Sequence, residues 1–268
     1  MKKFRHKKSL GQHFLKDKNI VRKIADLAEI KENELVWEVG PGKGILTQEL
    51  ILQKSNLTCF EIDESLYPIL NEKFGNDINL INKDILRIDW KEYLKDNQIK
   101  IVANLPYQIT SPFLFRVTEH ANSFKRVVVM IQKEVAERIN AGIGTKDYGK
   151  LSLKMQFYFN VEYGFTVKPH LFFPPPKVDS AVIILTPRKD KPVLEDERFF
   201  WRVVEVAFQN RRKMLRRNLR MILSKEKIEE LGSNCKIELT RRGETLTEKD
   251  FIKLYEAVAK LATNGSEQ

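Results

Sequence analysis

Hydrophobic spacing along this chain switches repeatedly between the helical and the extended period. Ile20, Val21, Ile24, Leu27 and Ala28 share one helical face over residues 17–30, with Asp17 placed to cap the first turn. Leu35–Val39 then reads as a short strand, and Gly40-Pro41-Gly42-Lys43-Gly44 as a turn. Residues 45–53 resume a helical pattern, 57–62 form a second strand and 64–74 a helix. Residues 78–82 and 99–103 are a third and a fourth strand, and a helix near 110–120 leads into a strand over 126–132. This alternation predicts an α/β domain built on a mostly parallel sheet with helices on both faces. Two later runs, 160–167 and 180–186, flank Pro169 and Pro174-Pro175-Pro176. Coming after the alternating units, they predict an antiparallel edge.

Composition shifts around residues 187–192, and beyond that point the pattern is helical only, over 196–209, 211–223, 225–231 and 247–262. A boundary near 188 therefore divides the chain into an α/β domain over 1–188 and a small all-helical C-terminal domain over 189–268. The 268 residues are 42% hydrophobic and 31% charged, which excludes a disordered or collagen-like chain. Uninterrupted apolar runs reach only about five residues, against the roughly 20 that a membrane helix needs. No apolar stretch follows the basic start, so no secretory signal is expected. The two cysteines, Cys59 and Cys235, lie far apart without metal-ligand spacing, and the four histidines do not cluster. No metal site, no disulfide and a cytoplasmic location are expected.

The net charge of +11 is concentrated in two short segments. Lys2, Lys3, Arg5, Lys7 and Lys8 form a basic arm over residues 1–8, and Arg211, Arg212, Lys213, Arg216, Arg217 and Arg220 fall within ten residues that hold no acid. Together they account for the whole excess. Two local contacts with a polyanion on an otherwise balanced protein are implied. Arg212, Arg216 and Arg220 recur at i, i+4 and i+8, with Leu215, Leu219 and Ile222 marking an apolar face. On a helix over 211–223, one side would pack and the other would meet phosphates, which supply affinity and orientation without reading sequence. A merely solvated basic face is the alternative.

The candidate chemistry lies at strand ends, where open parallel sheets bind ligands. After Glu38 the first strand runs into Gly40, Gly42 and Gly44, spaced G-x-G-x-G and not as the dinucleotide fingerprint. A glycine turn with no ligand remains possible on this loop alone. Glu61 follows 21 residues after Gly40, at the end of the second strand, where a carboxylate can accept from both hydroxyls of a ribose. Asp84 follows the third strand and can accept from an adenine amino group, with Ile62 or Ile85 packed on the ring. Each acid taken alone is an ordinary strand-end or turn residue. In succession the three ends describe an adenosine pocket.

The fourth strand ends in Asn104-Leu105-Pro106-Tyr107. The lone pair of an exocyclic adenine amine is delocalised into the ring, and acceptors on its two N–H groups favour a more nucleophilic nitrogen. The Asn104 side chain supplies one acceptor, and the carbonyl of Leu105 or Pro106 another. Tyr107 offers a face on which an extruded base can stack. Phe172, in the proline-held segment 172–176, is a candidate clamp for the other face. A strand-end turn with a core tyrosine is the alternative without chemistry.

These residues resemble the ribosomal RNA adenine dimethylase family. The resemblance includes Ser9-Leu10-Gly11-Gln12-His13-Phe14-Leu15, the glycine loop, Glu61, Asp84 and the Asn104 motif. It continues through Gln132-Lys133-Glu134-Val135-Ala136-Glu137-Arg138, Tyr148-Gly149-Lys150-Leu151-Ser152, the F-x-P-x-P-x-V-x-S-x-V spacing from Phe172, and Ala207-Phe208-Gln209-Asn210-Arg211-Arg212-Lys213. It implies a Rossmann-like S-adenosylmethionine-dependent methyltransferase domain, with S-adenosyl-L-methionine contacted by His13, Leu15, Gly40, Glu61, Asp84 and Asn104. It implies N6 chemistry at Asn104, Leu105, Pro106 and Tyr107, with Phe172 near the target base. The implied reaction is dimethylation of two adjacent adenosines near the 3′ end of small-subunit (16S) ribosomal RNA, with the small ribosomal subunit as partner; a monomer is expected, with no membrane and no metal. The family usually carries Asn after the tyrosine, whereas this chain has Gln108. A dimethylase of large-subunit RNA of the macrolide-resistance type, a non-catalytic ribosome-assembly or transcription factor on the same fold, and a nicotinamide-dependent enzyme are the rivals.

Overall fold

The computed structural model describes residues 11–234 and 237–263. In chain order the strands and helices begin with β1 (Phe14–Leu15), α1 (Lys18–Asp26), β2 (Leu35–Val39), α2 (Ile45–Leu52), β3 (Asn56–Phe60), α3 (Tyr67–Phe74) and β4 (Asn79–Ile81). They continue with α4 (Trp90–Leu94), β5 (Ile99–Asn104), α5 (Thr110–Glu119), β6 (Phe124–Gln132), α6 (Lys133–Ile139), α7 (Lys150–Tyr158), β7 (Phe159–Val167), β8 (Phe172–Phe173) and β9 (Ser180–Pro187). Four helices follow, α8 (Glu197–Phe208), α9 (Leu215–Asn218), α10 (Lys225–Asn234) and α11 (Glu248–Thr263).

The chain divides into two compact units. One takes in the described residues up to Ala136 together with Tyr158–Lys189; the other consists of Glu137–Phe157 and the residues from Asp190 onward. The assignment of all of 1–188 to one domain is thereby corrected, because Glu137–Phe157 falls in the second unit. The helical period of α7 was hidden by Leu151, Leu153, Met155 and Phe157, which alternate as a strand would. Within the second unit Phe157 instead stacks on Phe200 of α8, with ring centroids 5.3 Å apart.

In the first unit a seven-stranded sheet has the order β4-β3-β2-β5-β6-β9-β7. Strands β2 to β6 pair in parallel, and β9 is antiparallel to both β6 and β7, as the late strand-like runs predicted. Both faces are covered, so Val127, Val128, Val129 and Ile131 of β6 are fully buried, in keeping with their unbroken apolar run. Strand order reverses between β2 and β5, and a crevice opens beyond the carboxyl ends at such a point. β3 stops at Phe60, which leaves Glu61 as the first residue past it. α3 starts at Tyr67 and not at 64, because Asp63 turns the chain by accepting from the Ser65 N–H at 3.0 Å and its carbonyl accepts from Leu66. The short β1 was invisible to periodicity; it pairs antiparallel with β8, Phe14 opposite Phe173 and Leu15 opposite Phe172.

At the opposite end of the sheet, β5 carries the buried Lys100. Its Nζ lies 2.7 Å from Glu34 Oε2 and donates to the Glu29 carbonyl, while Lys125 Nζ lies 2.9 Å from Glu34 Oε1. Burial alone would raise the Glu34 carboxyl, but hydrogen bonds from Lys100, Lys125 and the Lys31 N–H outweigh it and hold the pKa at about 2.

In the second unit, α8 is capped by Asp196, whose side chain accepts from the Phe199 N–H at 2.9 Å. Phe200, Val203, Val204 and Ala207 of α8 share a core with Phe251, Leu254 and Val258 of α11. The continuous helix expected over 211–223 does not form. Met214 is extended, at φ −67° and ψ 155°. The N–H groups of Leu215 and Arg216 donate to the carbonyls of Arg241 and Leu239 at 2.8 and 3.0 Å, so they do not continue a helical ladder from residue 211. Arg212 therefore does not share a helix face with Arg216 and Arg220, although Leu215 and Leu219 are fully buried as expected. Cys59 is a buried free thiol, and Cys235 lies outside the described residues. No helix among the described residues is long and apolar enough to cross a membrane, and no group of three or more His, Cys, Asp or Glu residues among them could hold a metal ion.

Glu34→Gln is expected to cost about 3 kcal/mol in chemical denaturation at pH 7, because Lys100 keeps its charge in a buried place. The depressed carboxyl contributes stability above its ordinary value of 4.5 and loses it as pH falls from there towards about 2. The wild-type and variant pH profiles should therefore converge at the acid end.

Candidate active site

The carboxyl ends of β2, β3, β4 and β5 open into one cavity of about 510 Å³, within the size range of small-molecule sites. Its wall includes Glu38, Gly40, Gly42, Glu61, Ile62, Asp84, Ile85 and residues 104–107. His13, Leu15 and Phe172 reach the same wall from β1, the residues before it and β8.

Glu61 organises one side. Its side chain is nearly closed off, at 4% exposure, and burial raises its pKa against hydrogen bonds that lower it. Oε2 accepts from the Gly42 N–H at 3.1 Å and Oε1 from the Asp63 N–H at 2.9 Å. Each carboxylate oxygen has a second lone pair, so two acceptor sites are left for a diol. Gly42 must be glycine: its φ is +59°, and a Cβ there would come within 2.8 Å of the Phe14 ring. Glu38 lies deeper, at 1% exposure, and accepts from the Cys59 thiol at 3.5 Å. Burial pushes its carboxyl up to about 7.

Gly44 was expected among the cofactor residues, but it is absent from the cavity wall. It stands at the N-cap of α2 with φ +75°, and a Cβ would meet the Phe74 ring at 2.3 Å, so its requirement is helix packing. Asp84 lies on the cavity wall and serves its turn. Oδ1 accepts from the Leu86 N–H at 2.9 Å as a turn residue, and Oδ2 lies 3.4 Å from the exposed Arg87. Of the two isoleucines, Ile62 is 49% exposed and Ile85 only 4%, so Ile62 presents the larger free surface.

On the other side, the Asn104 amide donates from Nδ2 to the His13 carbonyl at 3.3 Å, which turns Oδ1 into the remaining acceptor. The Pro106 carbonyl already accepts from the Ile109 N–H at 3.1 Å, so Leu105 supplies the better second acceptor. Tyr107 is anchored through its hydroxyl, 2.8 Å from Ser180 Oγ, and burial raises its pKa. His13 Nδ1 donates to the Pro174 carbonyl at 2.7 Å. Phe172 lines the cavity but is 2% exposed and packs in the core cluster. Its neighbour Phe173, on the same wall and 52% exposed, is the aromatic surface that sequence reasoning missed. Gln12, also on the wall, was missed as well; its side chain donates to Asp63 just past β3.

This sheet, with an acid after its second parallel strand and an asparagine ending its fourth, is that of an S-adenosylmethionine-dependent methyltransferase, the class to which its family and its structural neighbours belong. The chain belongs to the ribosomal RNA adenine dimethylase family, whose model matches residues 3–260. It is 44% identical over 269 residues to the ribosomal RNA small subunit methyltransferase A of Geobacillus sp. (strain WCH70), covering 95% of this chain and 92% of the relative. The protein of that name from Streptococcus thermophilus (strain CNRZ 1066) is 43% identical over the same shares. Among solved structures, a dimethyladenosine transferase from Plasmodium falciparum is similar with a TM-score of 0.78 and 25% identity, covering 93% of this chain and 98% of that one. The 23S rRNA methyltransferase ErmE follows at 0.68 and 27%, covering 92% and 99%.

The residues present fit S-adenosylmethionine, since Glu61 keeps two acceptor sites and the glycine loop brings bare backbone to the cavity. Glu61→Ala is expected to weaken donor binding by about tenfold or more, the loss of one or two charge-assisted hydrogen bonds. Calorimetric titration with the donor measures it, and an unchanged affinity would reject the ribose role.

Proposed function

We propose that this protein methylates N6 of two adjacent adenosines near the 3′ end of small-subunit (16S) ribosomal RNA, giving N6,N6-dimethyladenosine during ribosome biogenesis. Relatives named for the small subunit, at 44% and 43% identity, support that substrate over the large-subunit one, as ErmE is 27% identical. One observation carries the chemistry: the Asn104 amide is pinned by the His13 carbonyl, which orients an amide oxygen at the end of β5 as an acceptor.

S-adenosylmethionine supplies an electrophilic methyl group. Asn104 Oδ1 takes one N–H of the target amine and the Leu105 carbonyl takes the other, which draws the nitrogen lone pair out of conjugation. The Tyr107 ring, held by Ser180, stacks on one face of the base. Phe172 and Phe173 border the other side. Positioning provides most of the rate, and the amine proton leaves after transfer. For the second transfer one N–H is left, so a single acceptor holds the monomethylated amine.

Phosphate contacts fall to Arg212, Lys213, Arg216, Arg217 and Arg220, all exposed and none in an ion pair or side-chain hydrogen bond among the described residues. Arg211 is committed elsewhere, to the Lys146 carbonyl at 2.6 Å and Glu244 at 3.2 Å. The basic arm Lys2, Lys3, Arg5, Lys7 and Lys8 lies outside the described residues.

Asn104→Ala and Tyr107→Ala should each lower methyl transfer to under-methylated small subunits by at least about a hundredfold while RNA binding persists. Labelled donor followed by digestion to nucleosides reads both the product and its position; label appearing only in large subunits would overturn the substrate assignment. Replacing Arg216 or Arg217 with Ala should weaken RNA binding and reduce the slope of log affinity against log salt by roughly one each. An unaltered slope would remove those side chains from the phosphate contacts.

A further inference from the structure

Residues 12, 13 and 14 each hold a different strand end. Gln12 Nε2 donates to Asp63 Oδ2 at 2.8 Å, just past β3. The His13 carbonyl accepts from Asn104 at the end of β5. The Phe14 ring lies against Gly42, just past β2. The same stretch is tied to residues 171–174 through the β1–β8 pairing and the His13–Pro174 hydrogen bond. It thus spans the donor side and the target side of one cavity.

Asp63 is the least explained member. It is 1% exposed, and its carboxylate is oriented by Ser65, whose N–H and hydroxyl both bond Oδ1, at 3.0 and 2.6 Å. That orientation presents Oδ2 to Gln12. The Asp63 N–H meanwhile donates to Glu61 Oε1. Displacing Asp63 therefore disturbs the Glu61 carboxylate and removes one of the ties on the segment in one movement.

We propose that Gln12 and Asp63 form a positioning pair for the methyl donor: their hydrogen bond keeps residues 11–16 over the cavity and keeps Glu61 in its accepting orientation. This rests on the reading of the cavity as the donor site. The neutral amide at position 12 is essential, because a carboxylate there would face the Asp63 carboxylate. Exchanging donor and acceptor across the contact restores a hydrogen bond: in Gln12→Glu combined with Asp63→Asn, the new amide donates to the new carboxylate.

Calorimetric titration of the full-length protein with S-adenosylmethionine, paired with ligand-free melting curves, tests the pair. Gln12→Glu is expected to weaken donor affinity about tenfold, the loss of one partly buried hydrogen bond to a carboxylate, with ligand-free melting unchanged. Gln12→Ala, which adds no charge, should shift affinity in the same direction. The double variant should recover most of the wild-type affinity. Wild-type affinity in Gln12→Glu, a fall in ligand-free melting that accounts for the loss, or a double variant no better than the single would each overturn the proposal. Failure of the underlying reading looks different: Glu61→Ala would then bind the donor as the wild type does.

Discussion

A parallel sheet buried on both faces leaves its strand ends for polar groups, and ligands bind beyond the carboxyl ends. In this protein that constraint acts at β2, β3, β4 and β5, whose ends open into a single cavity. The reversal of strand order between β2 and β5 keeps the helices from closing over it. Glu38, Glu61, Asp84 and Asn104 are thus polar because their places are strand ends, and they converge because the sheet is one sheet. The cost appears at Glu38 and Glu61, where burial raises both carboxyls.

Much of this arrangement was legible in the chain. Leu35–Val39 was read with its observed limits, and the antiparallel edge followed from two strand-like runs after the alternating units. Segments whose identity depends on distant partners were not legible. β1 has two residues and owes its strand geometry to residues 172–173. No element was read over α7, where alternating apolar residues blur the helical period. The break at Met214 depends on carbonyls from residues 239 and 241, so propensity alone carried a helix across it.

The site followed the same rule. Acids and glycines at strand ends were found by position, since topology alone brings them together. Gly44 was swept in by its spacing, although Phe74 and not a ligand demands it. Phe173 was overlooked because adjacent phenylalanines look equivalent until strand pleating separates a core ring from an exposed one. The cationic stretch shows the converse. Charge counting treats its members alike, whereas Arg211 is spent within the fold on Glu244.

The pairing of β1 with β8 also orders events in time. All five parallel strands are complete by Gln132, yet the contacts that bind residues 13–16 involve residues 171–174, as in the His13–Pro174 hydrogen bond across 161 positions. A nascent chain emerging from its first residue therefore carries every glycine and acid of the crevice before it carries the partner that roofs it. The strand that pairs with residues 14–15 is thus the last piece of the crevice wall to be synthesised.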